Sequence, residues 1–200
     1  MGDPKRHRKK YSTPSHPWQA DRIEEERQLS TEYGFKNKAE IWKMRSYLKD
    51  ATSQAKKLVT LTGPQADIER QALLERLKRY GFLPIDADLD KILSISLRDI
   101  LERRLQTQVY KKNLANSVNQ ARQFITHKHI LVGGKIITSP SYLLTVEEEA
   151  KIEFRPKSSL SSPDHPERVA VENKKEVSVE KKEETVENKE EVTKNEPRKK

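Results

Sequence analysis

Between Ser96 and Tyr142 the chain carries two helix-start signals, two apolar stripes and one tight turn. That order restricts the fold more than anything else in its 200 residues. Ser96 and Asp99 form the Ser-x-x-Asp variant of a capping box, and Ser117 with Gln120 forms a second one. Behind the first cap Leu97, Ile100, Leu101, Leu105 and Val109 recur at helical spacing; behind the second, Val118, Ala121, Phe124 and Ile125 do. Each cap therefore predicts one helix with a single buried stripe. Ile130 and Val132 then face one way along an extended run, Gly133-Gly134 makes a turn, and Lys135-Ile136-Ile137 returns. Lys151-Ile152-Glu153-Phe154 is expected to close a small antiparallel sheet, with Tyr142 either packing it against the helices or stacking on RNA. The faces left in water carry Arg103, Arg104, Lys111, Lys112, Arg122 and Lys128, with almost no acid between them, as a phosphate-tracking surface would.

Three more helices are expected upstream. Asp21 can cap the first, with Glu24, Glu25 and Glu26 complementing its dipole and Gly34 as its stop. The second begins near Lys38, where Ile41, Met44, Leu48, Ala51, Ala55 and Leu58 alternate three and four apart. The third follows Gly63-Pro64, with Ile68, Leu73, Leu74 and Leu77 inward and Gly81 at its end. Phe82 to Ile95 reads as a connector with short extended pieces. Ahead of all this, residues 1–20 form a basic extension in which Pro4, Pro14 and Pro17 block regular structure. Lys5, Arg6, Arg8, Lys9 and Lys10 sit beside Tyr11 there, and His16-Pro17-Trp18 adds a second aromatic. Such a run can follow a phosphate backbone and stack on unpaired bases.

Charge narrows the class of partner. From Ser158 onward there are 10 Lys and Arg and 11 Asp and Glu, with too few aliphatic side chains to offset the entropy of ordering. Residues 1–157 keep 30 basic and 20 acidic residues, so the body alone carries +10. A polyanion is the expected partner. Nucleic acid is favoured over membrane, since no apolar run approaches spanning length and no signal-type segment starts the chain. Cysteine is absent, which removes disulfides and thiolate metal sites. His127 and His129 stand two apart and are read as RNA contacts or surface imidazoles rather than metal ligands. The alternating Asp86, Asp88 and Asp90 lack the Gly and Glu spacing of a calcium loop. With no Gly-rich phosphate loop, no nucleophile elbow and no cysteine nucleophile, the chain is not expected to be an enzyme or to hold a metal or cofactor.

The residues Arg104-Leu105, Ser117, Ala121-Arg122-Gln123, His127-Lys128-His129-Ile130, Val132, Gly134-Lys135 and Ser139-Pro140-Ser141-Tyr142 resemble, in order, the signature of the S4 RNA-binding module. This is a helix–helix–hairpin unit found in a ribosomal protein family and in several RNA-modifying enzymes. The chain departs from the pattern at Gln106, where Asp is frequent, at Val118, where Arg is common, and at Gly133, where Asn-Gly is usual. Gly2-Asp3-Pro4-Lys5-Arg6, Arg8-Lys9-Lys10-Tyr11, His16-Pro17-Trp18 and Tyr33-Gly34-Phe35-Lys36-Asn37-Lys38 are similar to the N-terminal region of archaeal and eukaryotic members of that ribosomal family.

The resemblance implies an α+β chain: a basic arm over 1–20, a helical rRNA-binding domain with its connector over 21–95, an S4 module over 96–157 and a disordered Lys/Glu/Val-rich tail over 158–200. It implies an archaeal-type structural protein of the cytoplasmic ribosome. Such a protein is a primary binder of 16S-type rRNA that nucleates assembly of the small-subunit body and contributes to translational accuracy. Expected neighbours are an S5-type protein and the mRNA entry path, with no homo-oligomer. Expected RNA contacts are Lys5, Arg6, Arg8, Lys9, Lys10, Tyr11, Arg103, Arg104, Lys111, Lys112, Ser117, Arg122, Gln123, His127, Lys128, His129 and Lys135, with no catalytic residue. A free-standing RNA-binding or RNA-chaperone protein, or an accessory subunit of an RNA-modifying enzyme, are the alternatives.

Overall fold

The computed structural model describes residues 2, 9–162 and 165–167. Helix α1 (Ala20–Glu32) starts one residue before the expected cap: Gln19 holds that position without a side-chain bond, and Asp21 falls in the first turn. Glu24, Glu25 and Glu26 consequently lie beyond the reach of the dipole. Glu26 is instead buried, accepting from Trp42 Nε1 at 2.9 Å and facing Lys38 Nζ at 3.5 Å, which fastens α1 to α2 (Lys38–Thr60). Helix α2 buries Ile41, Met44, Ala51, Ala55 and Leu58, the stripe its spacing predicts. Helix α3 (Pro64–Arg79) opens on its proline and buries Ala66, Leu73 and Leu77. Ile68, expected to point inward, is 61% exposed, because five residues before Leu73 places it about 140° around the helix. The helix closes as Gly81 turns at φ +72° and Phe82 N–H donates back to Leu77 O at 3.1 Å.

The connector differs from its expectation. Among its described residues there is no strand; a short helix α4 (Asp90–Leu93) stands there, and Leu83, Ala87 and Ile92 are buried with Leu58, Leu73 and Leu77. The alternating aspartates are exposed but lie on no strand: Asp86 and Asp88 precede α4 and Asp90 opens it.

The single helix expected behind Ser96 is two helices. Helix α5 (Leu97–Glu102) carries the complete Ser96–Asp99 box, and α6 (Leu105–Lys111) follows after a break at Arg103-Arg104. The break has a tertiary cause. Residues 140–144 cross here: Leu105 N–H donates to Tyr142 O at 2.8 Å, Gln106 N–H to Pro140 O at 3.3 Å, and Leu144 N–H to Arg103 O at 3.0 Å. At the end of α5, Leu101 O, which already accepts from Arg104 N–H at 3.3 Å, also accepts from Thr107 Oγ1 (2.9 Å), and Glu102 O accepts from Gln108 Nε2 (3.0 Å). Both polar side chains are therefore buried without cost in unmade bonds. Helix α7 (Val118–Thr126) is capped by Ser117 Oγ, but Gln120 answers the N–H of Asn116 rather than that of Ser117.

A three-stranded antiparallel sheet completes the module in the order β2 (Lys135–Ile136), β1 (Ile130–Val132), β3 (Ile152–Phe154). Val132 pairs with Lys135 across the Gly133-Gly134 turn, whose two positive φ angles suit a type I′ hairpin, and Ile130 pairs with Phe154. Helix α8 (Val146–Ala150) leads into β3. Leu105, Val109, Phe124, Ile125, Ile130, Val132 and Ile152 form one core, against which Tyr142 packs.

Two expected limits move. Ile100 and Leu101 pack with Leu29, Tyr33, Ile41 and Met44, so α5 belongs by packing to α1 and α2. The ordered module also runs past residue 157: Leu160, in a 3-10 turn (Ser159–Ser161), is 4% exposed within the module core. It is the only aliphatic side chain of that neighbourhood, and burial secures the turn. Residues 168–200 of the expected tail lie outside the described residues.

Candidate nucleic-acid interface

The cations of the S4-like segment fall into two groups. At the α5–α6 corner they are bonded to the protein itself. Arg103 Nη1 donates to Glu149 Oε2 at 2.6 Å, Lys111 Nζ to Glu102 at 2.9 Å, and Lys112 Nζ to the carbonyl of Glu149. Arg104 turns the other way and is 1% exposed. Its Nη2 donates to Glu40 Oε2 at 2.6 Å and its guanidinium lies 4.5 Å from the centre of the Phe35 ring.

Glu40 receives a second arginine. Arg122 Nη2 donates to Glu40 Oε1 at 2.7 Å, and Arg122 Nη1 reaches Gln106 Oε1 at 3.4 Å. Gln106, also 1% exposed, donates from Nε2 to Gly34 O (3.2 Å) and Val118 O (3.0 Å). One carboxylate on α2 thus clasps two arginines of the module. Burial alone would raise its proton affinity, but hydrogen bonds from Arg122 and Arg104 and their charges outweigh it and hold the carboxyl below its ordinary value. Gly34 makes the close approach possible: at φ +60° a Cβ would meet Asn119 Oδ1 at 2.8 Å and Gln106 Nε2 at 3.0 Å.

The far end of α7 is different. His127, Lys128 and Lys135 are exposed, and none of them has an ion-pair partner among the described residues. Lys128 adopts φ +65° in the position that usually takes glycine. Its N–H donates to Ile125 O at 3.1 Å and the N–H of His129 to Phe124 O at 3.0 Å, closing the helix as a Schellman turn. A lysine there costs about 1–2 kcal/mol of backbone strain. His129 is fixed by Ser158 Oγ at 2.7 Å from Nδ1 and by the Phe124 ring edge-on at 6.1 Å. The rings of His127 and His129 stack at 6.4 Å with 25° between planes, and both line a cleft of about 230 Å³ together with Gln123 and Glu167.

Residues 103–149 match the S4 domain family. Small ribosomal subunit protein uS4 of Methanococcus maripaludis (strain C7) is 52% identical over 171 residues, covering 85% of this chain and 96% of the relative. The protein of the same name from Methanococcus aeolicus is 52% identical over 169 residues, covering 84% and 96%. This chain belongs to the uS4 family.

For a uS4-family chain of archaeal type the residues expected at the interface separate clearly. Gln123, His127 and His129 line one cleft at the end of α7, Lys128 stands in the turn that closes the helix, and Lys135 lies on the hairpin that follows, paired with Val132. Arg122, itself held in the clasp by Glu40, keeps a side chain that is 25% exposed. Arg104 has no solvent face to offer a phosphate and becomes an internal tie; Arg103, Lys111 and Lys112 are bonded locally, and Ser117 serves as a helix cap. Lys9, Lys10 and Tyr11 lie apart, against α2, while Lys5, Arg6 and Arg8 lie outside the described residues. Glu40 escaped sequence reasoning, and so did the roles of Gln106 and Phe35, which stood out only as a departure from the pattern and as part of a family-like segment. An acid in the opening turn of a helix looks like a dipole partner, and only the fold reveals which cations meet it.

Proposed function

We propose that this protein is a structural component of the small ribosomal subunit that binds small-subunit rRNA through the α7–hairpin end and the basic arm. Membership of the uS4 family supports the class. The observation that carries the site is the unpaired cationic end of α7, where strain is retained to keep a lysine at Lys128. Neutralising phosphates there releases counterions, and each phosphate contributes a salt slope of about −0.7 to −0.9. Specificity comes from RNA shape, since the major groove of A-form RNA is too narrow for side chains to read. On this reading the protein works without catalysis, in the cytoplasm, docks early in subunit assembly, and borders an S5-type protein and the mRNA path, through which it affects accuracy.

Binding of the full chain to a 16S-type rRNA fragment across a salt titration tests the proposal. Lys128→Ala with Lys135→Ala should lower affinity about 100-fold and flatten the slope by about two phosphates. Unchanged affinity would remove the α7–hairpin end as the interface. Sedimentation with small subunits in high salt addresses the class, and protein found only in the free fractions would sink it.

A further inference from the structure

The chain that follows β3 returns to the end of α7 and meets one of its histidines. Ile130 pairs with Phe154, and Arg155 N–H donates to His129 O at 2.8 Å, so the end of β3 runs beside His129. The backbone then turns, with Ser158 N–H on Arg155 O at 2.9 Å, and Leu160 enters the module core. Between those two fixed points Ser158 is held against the imidazole. Its Oγ lies 2.7 Å from His129 Nδ1 and accepts from Leu160 N–H at 3.2 Å. Among the described residues the hydroxyl meets no other acceptor.

A serine hydroxyl has one proton to give and two lone pairs. Leu160 N–H occupies a lone pair, which leaves Nδ1 as the acceptor for the proton. The separation agrees, since 2.7 Å suits a hydroxyl donor and is short for a ring N–H. Nε2 has no hydrogen-bond partner among the described residues and is not one of the buried unpartnered nitrogens, so it is open to solvent. We propose that Ser158 is a positioning residue for the α7 end: its hydroxyl donates to Nδ1 and fixes the neutral His129 ring as the Nε2–H tautomer. The ring then offers a donor where the other tautomer would offer an acceptor. A phosphate oxygen can take that N–H, whereas Glu167, which lines the same cleft, already accepts from Gln120 Nε2 at 3.1 Å through Oε2. Because the bond exists before any ligand arrives, the ring need not be ordered on binding. The inference rests on the RNA reading above only for the identity of the acceptor.

Ring ¹⁵N spectra of the full chain test it without RNA, at about pH 8, where an ordinary imidazole is neutral. Wild type should show His129 protonated at Nε2 and bare at Nδ1. Ser158→Ala should move both signals toward the average of the two tautomers, and Ser158→Thr, which keeps a hydroxyl, should restore them. Affinity for a 16S-type rRNA fragment should fall about fivefold in Ser158→Ala, as for one lost preorganised hydrogen bond, and recover in Ser158→Thr. The salt slope should stay unchanged, because no charge is removed. A wild-type ring protonated at Nδ1, or ring signals untouched by Ser158→Ala, would overturn the proposal, whatever the melting temperature does, since loss of the bond to Leu160 alone could lower that. Wild type with the expected ring signals that fails to bind the fragment would remove the α7–hairpin reading and leave the Ser158–His129 assignment standing.

Discussion

At the α5–α6 corner Arg103, Arg104, Lys111 and Lys112 each meet an acid or a carbonyl. At the end of α7, His127, Lys128 and the hairpin's Lys135 make no ion pair among the described residues, although Glu167 lines the cleft that His127 borders. The two regions belong to the same short module, and the corner holds four formal cations where the α7 end holds two. One uses its charge to hold the protein together, and the other leaves it available to a polyanion. Charge density along a sequence therefore counts cations without saying which are already bonded.

The largest expected effect tests the packing on which both regions rest. Leu105 is fully buried in the module core, and Leu105→Asp should cost about 5 kcal/mol or more and abolish cooperative thermal unfolding. Cooperative melting retained in that variant would show that α6 faces the other way. Glu40→Ala comes next, at about 3 kcal/mol, because it strands Arg104 as an unpaired buried charge. Its effect should depend on pH with a definite sign. Glu40 is held below the ordinary value of 4.5, so the clasp contributes in full above that value and is lost as pH falls through the lower folded one. Denaturant midpoints of wild type and variant should thus converge only in acid, and a gap that persists at the lowest pH at which both fold would place the stabilisation elsewhere.

Lys128→Gly separates stability from function. Glycine relieves the left-handed strain and should raise stability by about 1 kcal/mol, while rRNA-fragment affinity drops about tenfold. Stability and affinity rising together would end the distinction between the two regions. The smallest effect belongs to Lys111→Ala at the corner. Its pair with Glu102 is half exposed on both sides, so stability should move by under about 0.5 kcal/mol and affinity hardly at all. A tenfold loss of affinity would make the corner part of the interface.

Much of this was legible from spacing. The Ser96 box, the apolar stripe of α2 and the Gly133-Gly134 hairpin all rest on contacts within a few residues, and local pattern records such contacts well. The break at Arg103-Arg104 was not legible, since neither residue is a helix breaker and its cause crosses from residues 140–144. The turn at Lys128 gave no sign either, because glycine is the usual marker of that conformation. At the site, residue type could be read and allegiance could not: Arg104 and Lys128 look alike in sequence, and only the fold gives one of them a carboxylate.

The Glu40 clasp also bears on the order in which the chain folds. Glu40 is 64 residues from Arg104 and 82 from Arg122. Contacts across loops of that length close at an entropic cost that nothing repays until the helices around them exist. The clasp should accordingly form after the folding barrier, and Glu40→Ala should speed unfolding while leaving refolding nearly unchanged, a chevron displaced in one arm only. The clasp is then among the last contacts made, together with the Gln106 bond to Gly34 O that ties the same surfaces.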